Sequence, residues 1–391
     1  MKLKININKS IFYLSVIFSL TIILQGMPML ENINKIMMIG IIGLLFFKVI
    51  TSKQKIKNSI VLILTCMVYI LALIFTEESV NMNTYFYFIL WILYFIFLND
   101  NYNKMMDYAN NNVKFIKVIL YIWSALVLIS FFIKKSYIRG FFSPFGCGEH
   151  RFGSSCLMIT ALNYILVLKT AKRRYFIFAI LPIIGIAMGG ARTYLAVYVV
   201  MLMCLFYLNC KKKWMFYIML IPVVFLLIYF ILNSPIGNKF EDTYSNGYNG
   251  FWATFTSGRS NFWKYDLQAF FKLPILQQFV GNGFDFVYSV NLKYINMKIF
   301  AHNDFINLLM NFGYIGMFLY EYVFFRFCKK NIGNISRVQK YSFYFIWFFN
   351  AFFNMVYTYP MATLALPYIL HSLKHNYNDN LIKGVKIYDK K

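Results

Sequence analysis

Only four histidines occur in the 391 residues, and one of them stands where it could do chemistry. His302 is followed by Asn303, Asp304 and the long apolar run FINLLMNFGYIG. Asn or Asp in that position caps a helix N-terminus. The cap would hold His302 near the positive end of the helix dipole, and nearby arginines would act the same way. Both disfavour the imidazolium, so the ring is expected to be neutral at physiological pH, the state a general base needs. The alternative is a histidine that only helps to close the cap. Gly313 and Gly316, in the run that follows, read as packing residues that let another helix approach.

Two arginines occupy similar places. Arg192, in GGARTY, opens an apolar run. A guanidinium at a helix N-terminus works against the dipole unless an anion is present, and dipole and guanidinium together make a phosphate site. Otherwise Arg192 is an interfacial arginine whose head reaches water. Arg259, in TSGRSNFW, begins a segment in which Phe262, Trp263, Leu267, Phe270 and Phe271 can share one helical face. Ser257 or Ser260 can cap that helix, Pro274 lies beyond it, and its apolar face would suit a membrane surface. Taken alone, Arg259 also fits a solvated loop. A fourth stretch, RGFFSPFGCGEHRFG, holds Arg139, Glu149, His150 and Arg151. Glu149 and His150 form either an acid/base pair or a polar turn after Pro144. Arg139 and Arg151 are candidate anion contacts, as is Asn303 for substrate. The six cysteines show no metal-ligand spacing, and Cys147 and Cys156 read as free thiols that could pair.

The elements that must carry these residues are apolar helices. The chain is 60% hydrophobic and only 14% charged, too little polar surface for a soluble domain of this length. Apolar runs recur from end to end, as in a polytopic all-α membrane protein. About twelve spans are expected (eleven to fourteen fit), near 11–29, 36–50, 59–75, 84–98, 116–133, 154–168, 174–189, 191–209, 214–232, 304–327, 341–357 and 359–373. The whole chain, 1–391, then forms one transmembrane domain, interrupted by a long loop at 233–303. The first run resembles a signal peptide, but no small-residue cleavage site follows it.

Orientation follows from basic residues. If the N-terminus is cytoplasmic and the runs alternate, 27 of the 39 Lys and Arg fall inside and 12 outside. Both termini are then cytoplasmic, and the four candidate stretches lie on the outer side. The net charge of +25 is dispersed in short clusters between apolar runs. That pattern reads as topology signal and lipid headgroup contact, not as a nucleic-acid groove. Apart from Glu321, no Lys, Arg, Asp or Glu lies deep in an expected span, and no inverted repeat is visible, which argues against an ion-coupled transporter. Chemistry is expected at the outer membrane boundary.

The order of these motifs resembles a known family. RGFFSPFG, then GGART opening a span, then a long outer loop with SGRSNFW and VGNGF, then AHNDFINLLMNFGYIG, is similar to the O-antigen polymerase and O-antigen ligase superfamily, the Wzy-type polysaccharide polymerases and their ligase relatives. The resemblance covers residues 135–330, with Gly-Gly-Ala in place of the more usual Ser-rich stretch before the arginine. It implies a GT-C-like, metal-independent glycosyltransferase without cofactor, acting at the outer face of the cytoplasmic membrane. It implies undecaprenyl-diphosphate-linked oligosaccharides as substrates, and as partners membrane lipids and the flippase and chain-length regulator of the same pathway. Its functional residues match Arg192 and Arg259 as diphosphate ligands and His302 as base. Aromatic residues of the long loop, Tyr244, Tyr248, Phe251 and Trp252, would stack on sugar rings. The product would be capsule, O-antigen or a related surface polysaccharide. A ligase moving a finished glycan shares the mechanism, and a flippase for lipid-linked sugar is the reading from another class.

Overall fold

A computed structural model describes residues 6–28, 30–52, 55–76, 82–138, 140–170, 172–210, 212–218, 220–221, 225, 252–253, 256 and 258–375. The described chain is helical nearly throughout. Its helices are α1 (Ile7–Thr21), α2 (Glu31–Ile50), α3 (Lys55–Phe75), α4 (Met82–Asn111), α5 (Val113–Ser130), α6 (Glu149–Thr170), α7 (Ile180–Met188) and α8 (Arg192–Asn209). Then follow α9 (Arg259–Phe271), α10 (Ile275–Val280), α11 (Phe286–Ile295), α12 (Asp304–Asn331), α13 (Arg337–Phe353) and α14 (Pro360–Lys374). A two-residue antiparallel pair, Tyr137–Ile138 with Phe141–Phe142, is the only sheet among the described residues.

Among the described residues, six helices are long and apolar enough to cross a membrane: Asn32–Ile50, Asn58–Phe75, Val113–Ser130, Glu149–Thr170, Arg192–Asn209 and Asp304–Asn331. This is an all-α membrane protein. Helix also lies over the other expected apolar runs, except that most of 214–232 falls outside the described residues. Three expected boundaries move most: in the first run, expected to reach 29, the helix α1 ends at Thr21. α4 continues well past Leu98 through a polar stretch to Asn111. α13 stops at Phe353, short of the expected 357, because residues 354–359 leave the helix to line the site described below.

The core is built around α6, every residue of which from Phe152 to Leu168 is buried. Its main neighbour is α14, buried from Pro360 to Leu373. α1, α4, α5, α7 and α8 surround this pair. Polar groups inside the bundle are paired across helices, which apolar surroundings require. The Trp123 indole donates to Ser155 Oγ at 2.8 Å, and Ser155 in turn donates to the Ser19 carbonyl at 2.8 Å, tying α5, α6 and α1 together. Ser15 and Tyr368 share a hydroxyl bond at 2.8 Å.

Contacts between connecting segments sort them into two ends. At one end, Lys135 donates to the Gly26 carbonyl and the Phe284 amide donates to Thr76. At the other, Asn6 meets Tyr108, Arg326 meets Asn58, Lys330 meets Asp100, and Lys374 meets the Asn331 carbonyl. The segments that the charge count places outside thus share one end, and those it places inside share the opposite end.

The SGRSNFW helix corrects its expected surroundings. α9 is capped at Gly258 without a side chain, and the Thr256 hydroxyl, not that of Ser260, accepts from an early amide, that of Ser260 itself; Ser257 lies outside the described residues. Phe262 and Phe270 face protein, with Trp263 and Leu267 packed alongside; only Phe271 of that face is exposed. The stripe is therefore a packing surface against α11 and α12, and not a face laid on a membrane.

Gly313 explains how the VGNGF segment docks. It interrupts α12 with φ +63°, and a Cβ there would overlap the backbone of Phe279 and Gly281. The Asn282 amide reaches the Met310 carbonyl across the same gap at 3.0 Å. Gly316, expected to admit another helix, instead leaves room for the ring of Phe312 in its own helix. Gly333 has the same φ of +63° but open space around it. Gly333→Ala should therefore cost only the left-handed penalty, about 1 kcal/mol. Gly313→Ala should add an overpacking cost of about 1–3 kcal/mol, read as the larger fall in thermal unfolding temperature in detergent. Equal effects would show that the α10–α12 contact is not tightly packed.

Candidate functional site

Key positions of all four candidate stretches meet at one end of the bundle, each delivered by a helix N-terminus. Glu149, His150 and Arg151 form the first turn of α6. Arg192 is the first residue of α8 and Arg259 the first of α9. His302 immediately precedes Asn303, whose side chain accepts from the Ile306 amide at 3.1 Å and so caps α12. Asn303 is buried and committed to that cap. Arg139 lies outside the described residues, as do Tyr244, Tyr248 and Phe251, and Trp252 is exposed.

Close helix approach brings the pieces together. Gly153 sits one turn beyond His150, and a Cβ there would overlap the Tyr194 ring, so α6 and α8 touch where Arg192 begins. The C-terminus of α13 joins α8 to α9. The Phe353 carbonyl accepts from Arg259 Nη1 and, at 3.5 Å, from Thr193 Oγ1. A last-turn carbonyl has no partner within its own helix and carries partial negative charge, which suits a guanidinium.

The rings form a cluster. The His150 centroid lies 5.9 Å from that of His302, 5.6 Å from Tyr359 and 6.2 Å from Tyr194. His150 Nε2 is 3.6 Å from Glu149 Oε1. Arg192 and Arg259 feel each other's charge, and both feel Glu149. Arg151 Nη1 donates to the Cys147 carbonyl at 3.3 Å.

The electrostatics suit a base beside an anion. His302 is held well below its ordinary pKa, first by burial and then by the Arg259 charge. Its Nδ1 is buried without a hydrogen-bond partner. The ring is thus neutral at physiological pH, as expected, though burial rather than the helix dipole leads. Its backbone is left-handed, φ 51°, an uncommon conformation for a side-chain-bearing residue. Burial also draws Arg259 below its usual pKa, with Tyr359 and Glu149 opposing. Burial pushes Tyr359 up to about 12, offset by Arg151 and then Arg259. A neutral phenol therefore stands between those two arginines.

Beside this cluster is a cavity of about 280 Å³. Glu149, His150 and Arg151 form one wall, Tyr87 and Thr358–Tyr359 another, and Lys35 the mouth. Sequence reading did not single out Tyr359, Tyr87, Lys35 or Phe353. Their types carry no motif, and Phe353 acts through its backbone. It also passed over Asp304 as anything but a cap. The buried Asp304 Oδ2 accepts from Tyr320 OH at 2.9 Å and from the Val356 amide at 2.8 Å, fixing segment 354–359 against α12.

Among the described residues no group of His, Cys, Asp and Glu is arranged to hold a metal ion. The arrangement offers a neutral imidazole, two guanidiniums at helix N-termini and an adjoining cavity of mixed polar and apolar lining. No family model and no curated protein matches the chain.

α9 carries Arg259, and its buttress is titratable. Asp266 is fully buried against α11, and burial raises its pKa to about 8, with Asn291 partly offsetting. An acid whose folded pKa exceeds its unfolded value holds extra protons in the native state, so stability falls as pH rises from about 4 towards about 8. Wild-type unfolding temperature should therefore drop across pH 5–8, and Asp266→Asn should flatten that slope. Parallel slopes for the two proteins would show that Asp266 is charged in the fold.

Proposed function

We propose that this chain is a polysaccharide polymerase that joins undecaprenyl-diphosphate-linked oligosaccharide repeat units. The observation that carries the reading is the convergence of neutral His302 with Arg259 and Arg192 at one end of an apolar helical bundle. In this reading the bundle is GT-C-like and crosses the cytoplasmic membrane about twelve times. Both termini are cytoplasmic and the site end is extracytoplasmic.

The chemistry follows from the charges. A lipid diphosphate leaves as an anion and needs charge neutralisation, not an acid. Arg192 and Arg259 supply it, with the N-terminal amides of α8 and α9 beside them. The attacking sugar hydroxyl is a weak nucleophile and needs a base. His302 takes its proton while the hydroxyl oxygen bonds to the anomeric carbon and the carbon–oxygen bond to diphosphate breaks. Direct attack inverts the anomeric centre. The cavity bounded by His150, Arg151 and Tyr359 would receive the acceptor sugar, with Glu149 and His150 as hydroxyl contacts. An O-antigen ligase would use the same steps with a different acceptor.

The test is chain lengthening of lipid-linked oligosaccharide by purified protein, with glycan size read on a gel. Asn tolerates the left-handed backbone at 302, so His302→Asn should fold and yet lose roughly 100-fold or more in rate. Arg192→Gln and Arg259→Gln should each lose about 10²–10³-fold. With His302 buried and beside Arg259, the acid limb of the wild-type rate profile should lie well below pH 6.5. Full-length glycan from all three variants would remove the proposal. Glycan left on the carrier but not passed to its final acceptor in the null strain would make the chain a ligase. Movement of substrate across vesicles without lengthening would make it a transporter.

A further inference from the structure

At the end of the bundle opposite the site, α12 presents a groove of about 840 Å³ towards its surroundings. Three aromatic residues line it along one helical face. Phe318, Tyr322 and Phe325 are 59%, 37% and 44% exposed, large rings only partly covered by protein. Phe318 and Tyr322 stack at 5.8 Å. The same face continues, at helical spacing, into Arg326, Lys329 and Lys330 at the end of the helix.

These basic groups are held in place. Arg326 Nη1 reaches Asn58 Oδ1 on α3 at 3.3 Å, and Lys330 Nζ reaches Asp100 Oδ1 on α4 at 3.0 Å. Glu321, a turn and a half deeper, is the one carboxylate lining the groove. The lining carries three cations, Arg326, Lys329 and Lys330, against the one carboxylate Glu321, so its charged end is positive. An aromatic stripe that ends in clustered cations suits a diacyl lipid with an anionic phosphodiester.

We propose that the α12 groove is a specific binding site for an anionic phospholipid of the membrane. The phosphodiester sits between Arg326 and Lys329, and an acyl chain lies along Phe325, Tyr322 and Phe318. The proposal is independent of the glycosyltransferase reading, since the groove shares no residue with the His302 site.

Full-length protein is reconstituted with equal amounts of phosphatidylglycerol and phosphatidylcholine of identical acyl chains. Lipid retained after detergent extraction is then counted by native mass spectrometry. Wild type should keep one phosphatidylglycerol in preference to phosphatidylcholine. Each cation removed should cut that preference about fivefold, so Arg326→Gln/Lys329→Gln should abolish it. Glu321→Gln should raise it, and Lys212→Gln/Lys213→Gln, in a different basic cluster, should leave it unchanged. Should the double variant fail to fold, Lys329→Gln alone, at an exposed position, carries the same expectation. Equal retention of the two lipids by wild type would overturn the site. So would an unchanged ratio in Lys329→Gln or a fall in Glu321→Gln.

Discussion

The Phe353 carbonyl is the point on which the site end depends. It is the last backbone acceptor of α13 and has no partner within its helix. In an apolar bundle such a group must be satisfied by something else. Arg259 and Thr193 do so from two different helices, and the starts of α8 and α9 are thereby fixed to one another. Two guanidiniums would otherwise have no reason to stay near each other. The constraint that every buried polar group find a partner thus places the second arginine beside the first.

The same rule works one layer deeper through Asp304. Its carboxyl gathers Tyr320 from within α12 and the amides of Val356 and Tyr357 from the segment after α13. That segment carries Thr358 and Tyr359 into the wall of the cavity. The residue beside the cap therefore anchors the site, and the cap itself belongs to Asn303. His302 sits at the junction of these two systems. Its left-handed backbone is the turn between the docked loop and the capped helix. Its ring lies 5.9 Å from that of His150, which α6 supplies.

Much of this was legible in the sequence, and the reasons differ by residue. Apolar runs gave the helices because their length and patterning leave no other fold in a membrane. Charge counts separated the two ends because basic clusters fall in alternate connections. Arg192, Arg259, His302 and the Glu149–Arg151 stretch could be found because they are polar residues at the ends of apolar runs that the charge count places on one side. Other features left no trace. Phe353 and Tyr359 are two aromatic residues among many, and their roles arise from a carbonyl and from position. The burial of α9 against α11 and α12 could not be read from its amphipathic spacing. A face that packs on protein and one that lies on lipid have the same residue pattern. Gly313 was recognisable as a packing residue, but its docking partner lies thirty residues upstream in a segment whose approach depends on the whole fold.

One electrostatic consequence ties the cage together. Arg192 and Arg259 bring like charges into each other's range within a partly buried setting, and among the described residues Glu149 is the carboxylate that acts on both. Burial first, and then the Arg259 charge, keeps the His302 ring neutral. An anionic ligand would relieve the repulsion and at the same moment raise the proton affinity of the imidazole. The base would therefore strengthen only when the anion is in place. Such coupling needs no moving part, since Arg259 would act both on the anion and on the imidazole.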